Sequence, residues 1–351
     1  MTGGLKFMQA LVKYSKGPGN MEIREIPDPN PGPGEVKIEV KFAGICGSDI
    51  HIYHDDIAIP LNLPVITGHE FSGVVTVIGE GVTSCKVGDR VTSETAIDYC
   101  GRCFYCKIGR YNLCNNRRTL GYWYNGAFAK YTIVPQDKIH LLPKEISFIS
   151  GALLEPLACV THATMDQSTI SPTNIVLITG PGAIGLMTLQ VVKAHGAKVL
   201  ISGTDYDIDR LEFAKKLGAD RVINIQKEDI YQVIQEETYG SGVDAVFECS
   251  GSSSAIKTNI DLIKKRGEYT QIGLSSKMTS LDFNQFCYKE LKVTGSFGSI
   301  WTSWENAISL VKNDKVNLKC LVTHQFPLSS WKEGFDIFED KQGIKIVLKP
   351  V

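Results

Sequence analysis

The chain has 351 residues, more than one hydrophobic core usually serves, so two domains are expected. Hydrophobic residues make up 43% and charged residues 21%, and the net charge is −1. That balance leaves no basic field for nucleic acid and no cationic patch for a membrane surface. No apolar run approaches the ~20 residues of a spanning helix. The first residues lack the regions of a secretory signal, and Met8-Gln-Ala-Leu-Val reads as an ordinary start after a short extension. A cytoplasmic protein is expected.

In chain order, the first ~160 residues hold short strand-like runs broken by Gly and Pro. Val36 to Phe42, Gly73 to Ile78, Arg90 to Thr92 and Tyr131 to Val134 are examples. Pro27-Asp-Pro-Asn-Pro-Gly-Pro-Gly34 cannot be helix, because repeated proline removes donors and biases each preceding residue to extended forms. Within this β-rich region lie Cys46-Gly-Ser48-Asp49-Ile-His51, then Gly68-His69-Glu70, and at its end Glu155-Pro156. Cys, His and carboxylate together can hold a zinc that keeps one position open for water or substrate. Taken singly, Cys46 could equally be a small buried apolar residue, His69 a satisfied core histidine, and Glu70 and Glu155 surface charges. Their joint presence beside a dinucleotide motif favours a catalytic metal.

Ten cysteines are unevenly spread, and Cys100, Cys103, Cys106 and Cys114 fall within 15 residues. In a long intracellular chain such a cluster reads as metal binding. Four thiolates suit tetrahedral zinc in a closed structural site. The bacterial iron–sulfur run sets its fourth Cys three residues on and follows it with Pro. Here seven residues intervene and no Pro follows Cys114, which disfavours a cluster.

From about Pro172 the texture changes. Ile175 to Thr179 is a continuous apolar, β-branched run, as in a strand buried on both faces. Gly180-Pro-Gly182-Ala-Ile184-Gly185 follows it and opens an apolar-periodic helix over Ile184 to Ala194. That is the context a dinucleotide-binding turn requires: a tight turn, close backbone approach to the pyrophosphate, and close helix packing. Gly180, Gly182, Ile184 and Gly185 are the candidate cofactor contacts. Lys198 to Ser202 reads as the next strand and Asp209 to Leu217 as the next helix. Further strands are expected at Arg221 to Asn224, Asp244 to Glu248, Tyr269 to Ile272 and Lys292 to Thr294. Alternation of this kind means a parallel sheet with helices on both faces. Asp205, 20 residues past Gly185, is placed to accept the adenosine ribose hydroxyls, which selects NAD over NADP. Arg210 is the nearest cation and either flanks the adenine or is a solvated helix residue. The last ~50 residues cannot build a core of their own and are expected to rejoin the first domain.

On these motifs, with Gly88-Asp-Arg-Val91, the chain resembles the zinc-containing medium-chain dehydrogenase/reductases, particularly their polyol and threonine dehydrogenase branches. The resemblance spans nearly the whole chain from Met8. It implies an α/β fold: a Rossmann doubly wound parallel sheet plus a GroES-like β-rich catalytic domain. The expected division is residues 1–162 catalytic, 163–296 NAD-binding, and 297–351 returning to the catalytic domain. Two zinc ions per chain, one catalytic and one structural, are implied, with NAD, a small alcohol or polyol substrate, and a homodimer or homotetramer. Cys46 and His69 are implied as direct zinc ligands, with Glu70 and Glu155 as the further candidates, one of them acting through water or by exchange. Ser48 matches the hydroxyl that takes the substrate proton, passed on through the cofactor ribose to His51. Asp49 is an orienting partner, and His54 reads as surface. Glu155-Pro156 looks like the sorbitol dehydrogenase pattern. After Phe297, however, Gly298-Ser299 stand where such enzymes carry a substrate-contacting Arg. The implied reaction is hydride transfer from a secondary alcohol to NAD. Threonine or 2,3-butanediol oxidation is the alternative within enzymes, and a silent NAD(P)H-binding structural protein the alternative outside them.

Overall fold

The computed structural model describes residues 6–275 and 278–350. Two compact units emerge: Met1–Pro156 with Ile300–Ile308 and Leu318–Val351, and Leu157–Ser299 with Ser309–Asn317.

The first unit is built on a seven-stranded sheet. Its spatial order is Ile139–Leu141, Arg90–Ser93, Glu70–Ile78, Glu35–Gly44, Lys345–Lys349 and Val322–Pro327, with Tyr131–Pro135 pairing off this path onto Glu35–Gly44. The pairs are antiparallel except Val322–Pro327 with Lys345–Lys349, which is parallel. The C-terminal strand enters this sheet beside Glu35–Gly44, while Ser309–Asn317 belong to the second unit. Val36, Ile38, Val40, Phe71, Phe128 and Phe335 lie in the shared core. Burying such apolar area is the main favourable term in folding, roughly 25 cal/mol per Å². Ala96–Asp98 and Arg118–Thr119 form a small separate sheet that flanks the four-cysteine segment.

The second unit is a six-stranded parallel sheet ordered Arg221–Asn224, Lys198–Gly203, Ile175–Thr179, Val243–Glu248, Ile263–Gln271, Lys292–Gly295. Counted along the unit this is 3-2-1-4-5-6, the doubly wound order whose ligand crevice lies outside the carboxyl ends where the order reverses. Val176, Leu177 and Ile178 are fully buried, as a strand covered on both faces requires. The first helix runs Ala183–Ala194 and the second Ile208–Lys216. The fifth strand is longer than its apolar signal at Tyr269 suggests: it begins at Ile263, and its charged stretch Lys264-Lys265-Arg266 is largely exposed.

Candidate functional site

Strand Glu35–Gly44 ends just before Cys46, which caps the helix Gly47–His54. The Cys46 backbone N–H donates to Asp49 Oδ2 at 2.9 Å, so the cap fixes Cys46 and Asp49 against each other. Strand Glu70–Ile78 begins directly after His69, and Gly44 pairs opposite Glu70. Two neighbouring strands therefore deliver Cys46, His69 and Glu70 to one place. Their ligand atoms all lie within 4.8 Å of one another. His69 and Glu70 are almost fully buried.

The electrostatics suit a cation. Burial works against a charged His69 ring, but the hydrogen bond with Cys46 and the Asp49 charge outweigh it and lift His69 to about 10. Burial pushes Glu155 up to about 7, with the His69 charge opposing. Burial also raises Asp49, again opposed by His69. His69 Nδ1 stands 3.8 Å from Asp49 Oδ1. Neither atom has a hydrogen-bond partner. Such buried polar atoms are costly unless something completes them. A soft thiol, an imidazole and a carboxylate around one point are a donor set that zinc fits.

His51 is half-exposed on the same helix, its Nδ1 2.9 Å from Asp56 Oδ1. His54 pairs with Glu339 at the surface. Sequence reasoning missed Lys345. Its buried ammonium donates to Glu70 Oε1 at 2.6 Å and to the Ile45 carbonyl at 2.9 Å. It also missed Tyr122, buried with its ring 5.7 Å from that of His69.

The four cysteines form a second cage. Sγ separations are 3.9 Å for Cys100–Cys106, 3.4 Å for Cys103–Cys106 and 3.6 Å for Cys114–Cys100. Zinc with Zn–S bonds of about 2.3 Å places tetrahedral sulfurs about 3.8 Å apart, so the cage already has the spacing of that ion. Backbone N–H groups of Arg102 and Cys103 hold the Cys100 thiol down to about 6, which favours the thiolate a metal needs.

In the second unit, Gly180 has φ 92°, and a Cβ there would stand 2.8 Å from the Ser250 side chain. A Cβ on Gly182, which caps the helix Ala183–Ala194, would meet nothing within 4 Å. That open approach to a helix N-terminus is where a pyrophosphate fits. Asp205 follows strand Lys198–Gly203 by two residues. Its Oδ1 accepts from Asn224 at 2.8 Å and its Oδ2 lies 3.5 Å from Lys227 Nζ. Arg210 is not a solvated residue: it is largely buried and pairs with Asp207 at 3.6 Å. Glu248, fully buried at the end of its strand, accepts from the backbone of Ser250 and Gly251, each at 2.9 Å, and from Gln271 at 2.7 Å. It braces the turn that faces Gly180.

A dinucleotide turn on a doubly wound sheet, with a mixed Cys–His–carboxylate cage and a four-thiol cage on a β-rich unit, defines a zinc-dependent, dinucleotide-linked dehydrogenase. Comparison with known proteins narrows the class. Residues 32–144 match the alcohol dehydrogenase GroES-like domain and residues 183–313 the zinc-binding dehydrogenase family. A sorbitol dehydrogenase of Halalkalibacterium halodurans is 45% identical over 345 residues, covering 98% of this chain and 100% of the relative. A D-arabitol-phosphate dehydrogenase of Enterococcus avium is 39% identical over 98% of each chain. The crystal structure of 2R,3R-butanediol dehydrogenase from Bacillus subtilis superposes with a TM-score of 0.87 at 32% identity, covering 98% of this chain and 100% of that one. The chain belongs to the zinc-binding alcohol dehydrogenases. Among the described residues, no helix is long and apolar enough to cross a membrane.

Proposed function

We propose that the protein oxidises a secondary alcohol of a polyol, or of a related small hydroxyl compound, to the ketone, with NAD as hydride acceptor. The observation that carries this reading is the convergence of Cys46, His69 and Glu70 within 4.8 Å in a chain that also bears the Gly180–Gly185 turn. The polyol class is supported by the sorbitol and arabitol-phosphate dehydrogenases among its relatives. Cys46, His69 and Glu70 would hold the catalytic zinc, and Cys100, Cys103, Cys106 and Cys114 the structural one. Gly180, Gly182, Ile184 and Gly185 would receive the pyrophosphate, and Asp205 the ribose hydroxyls; Arg210, tied to Asp207, would stand beside them. Residues 1–162 with 297–351 would act as the catalytic domain and 163–296 as the cofactor domain of a cytoplasmic homodimer or homotetramer.

Zinc, when bound, supplies Lewis acidity that makes an alcohol proton easier to lose, and NAD supplies the hydride acceptor. The chain's own groups do the rest. Ser48 Oγ is buried in hydrogen-bonding contact with Tyr122, and it would take the substrate's hydroxyl proton only while handing its own proton on toward His51. His51, half-exposed and held by Asp56, releases a proton to solvent. Asp49 lies beside the His69 ring, 3.8 Å from its Nδ1, and Glu155 stands among the same charges.

The test is a substrate panel of sorbitol, xylitol, erythritol, 2,3-butanediol and threonine, each with NAD and NADP. Oxidation of a polyol with NAD at the highest kcat/KM is expected. Gly298-Ser299 gives no cation at the position where sorbitol-type enzymes carry Arg, so a polyol other than sorbitol should lead. Threonine as the leading substrate, or no turnover of any alcohol, would reject the reading.

A further inference from the structure

Lys345 is a fully buried lysine from the C-terminal strand Lys345–Lys349. That strand pairs with Glu35–Gly44, which in turn pairs with the strand starting at Glu70. Lys345 Nζ lies 2.6 Å from Glu70 Oε1 and 2.5 Å from Glu70 Oε2, and its other contact is the Ile45 carbonyl at 2.9 Å. Gly44 makes the room: a Cβ there would stand 2.2 Å from Glu70 Oε2 and 3.2 Å from Lys345 Cε. The ammonium and carboxylate side chains are 4% and 1% exposed, so water does not compete for either.

A carboxylate binds a metal through one oxygen or through both. With Cys46 and His69 already ligating, a tetrahedral ion keeps its fourth position open only when Glu70 uses one oxygen. An ammonium is a strong donor with no acceptor capacity, and a buried one must keep an anion beside it. We infer that Lys345 is a positioning residue whose ammonium, bridging both oxygens of Glu70, occupies the chelating bite of that carboxylate, confines it to a single metal bond, and so preserves the fourth position for the substrate hydroxyl. The inference rests on the reading of Cys46, His69 and Glu70 as the metal-binding group. A lysine that was only a structural brace would do something different when removed: Glu70 would lose its orientation and the metal would be lost with it.

The experiment replaces the catalytic zinc by cobalt(II) in the full-length protein and titrates azide into the visible absorption bands, which respond to an incoming ligand. Wild type should hold the cobalt and bind azide. Lys345→Met should keep the cobalt but bind azide at least about tenfold more weakly, because the freed second oxygen of Glu70 occupies the open position; kcat should fall by a similar factor while KM for NAD stays put. Lys345→Arg, which keeps charge and donors, should restore azide binding. Lys345→Gln, which keeps a donor near the Ile45 carbonyl without the charge, is read alongside should the methionine variant not fold, and should also lose azide affinity. Loss of cobalt from the Met or Gln variant, or azide binding at the wild-type level, overturns the inference. Failure of wild type itself to hold cobalt at Cys46 and His69 would instead overturn the metal assignment beneath it.

Discussion

The Gly180 carbonyl oxygen stands 2.0 Å from where a Cβ on Gly185 would lie. No real side chain fits that gap, so helix Ala183–Ala194 approaches strand Ile175–Thr179 only because residue 185 is glycine. At Gly182 the reverse holds. Nothing would meet a Cβ there, and its φ of −74° is open to any residue. The two glycines therefore serve different ends, one packing and the other the ligand.

That difference is measurable. Gly185→Ala should cost about 1–3 kcal/mol of stability through overpacking, seen as a lowered melting temperature, and should also weaken NADH. Gly182→Ala should melt like wild type yet bind NADH at least about tenfold more weakly, a change of about 1.4 kcal/mol, since its methyl stands where the pyrophosphate approaches. Fluorescence titration of NADH beside a thermal melt reads both. Equal behaviour of the two variants would reject this division of roles.

Cofactor choice should turn on Asp205. Its Oδ1 is oriented by Asn224 and its Oδ2 faces Lys227, which leaves further lone pairs on each oxygen for ribose hydroxyls. Wild type should prefer NAD clearly over NADP. Asp205→Ser should narrow that ratio by about tenfold or more, by weakening NAD and removing repulsion of the extra phosphate. The ratio of kcat/KM values is the readout. A wild-type preference for NADP would shift specificity to Arg210.

Much of this is legible in the amino-acid sequence alone. The Gly180–Gly185 turn announces itself because three steric demands fall on glycine at fixed spacing, and the four-cysteine lobe because all its ligands are near neighbours in sequence. The strand Ile263–Gln271 was legible only at its apolar end, since Lys264, Lys265 and Arg266 give no apolar signal and its pairing comes from the neighbouring strand. Lys345 was not legible at all. Its partner Glu70 lies 275 positions away, and a lysine opening a C-terminal strand reads as a solvated edge residue. Glu248 was likewise hidden, because beside the donors of its own turn at Ser250 and Gly251 it needs Gln271, which the neighbouring strand Ile263–Gln271 brings alongside.

The four-thiol cage should behave as a folding element. Cys103 lies 3.4 Å from Cys106 and its backbone N–H donates to Cys100 Sγ at 3.3 Å, so removing its sulfur opens the cage. Cys103→Ser should lose roughly one zinc per chain and melt several degrees lower, while turnover per correctly folded site is retained. Metal analysis, a thermal melt and active-site titration check this together. Unchanged zinc content with unchanged stability would refute a structural role.

The mixed cage makes the opposite prediction. Cys46→Ser and His69→Ala should each remove roughly one zinc per chain and abolish alcohol oxidation, because each supplies a ligand atom to the buried group. NADH binding should survive in both, since Gly180, Gly182 and Gly185 belong to the other compact unit. Glu70→Ala and Glu155→Ala are the informative pair. Glu70 shares the cage with Cys46 and His69, so its loss should release the metal. Glu155, near the same charges but outside that group, should keep the metal when truncated and lose at least about tenfold in kcat. The asymmetry follows from coordination number: four permanent protein ligands would leave a tetrahedral ion no position for substrate. Metal content by elemental analysis and kcat on the leading alcohol separate the outcomes. If Glu155→Ala loses zinc and Glu70→Ala keeps it, the two carboxylates exchange roles. If Cys46→Ser and His69→Ala both retain zinc and activity, the cage is not a catalytic metal site.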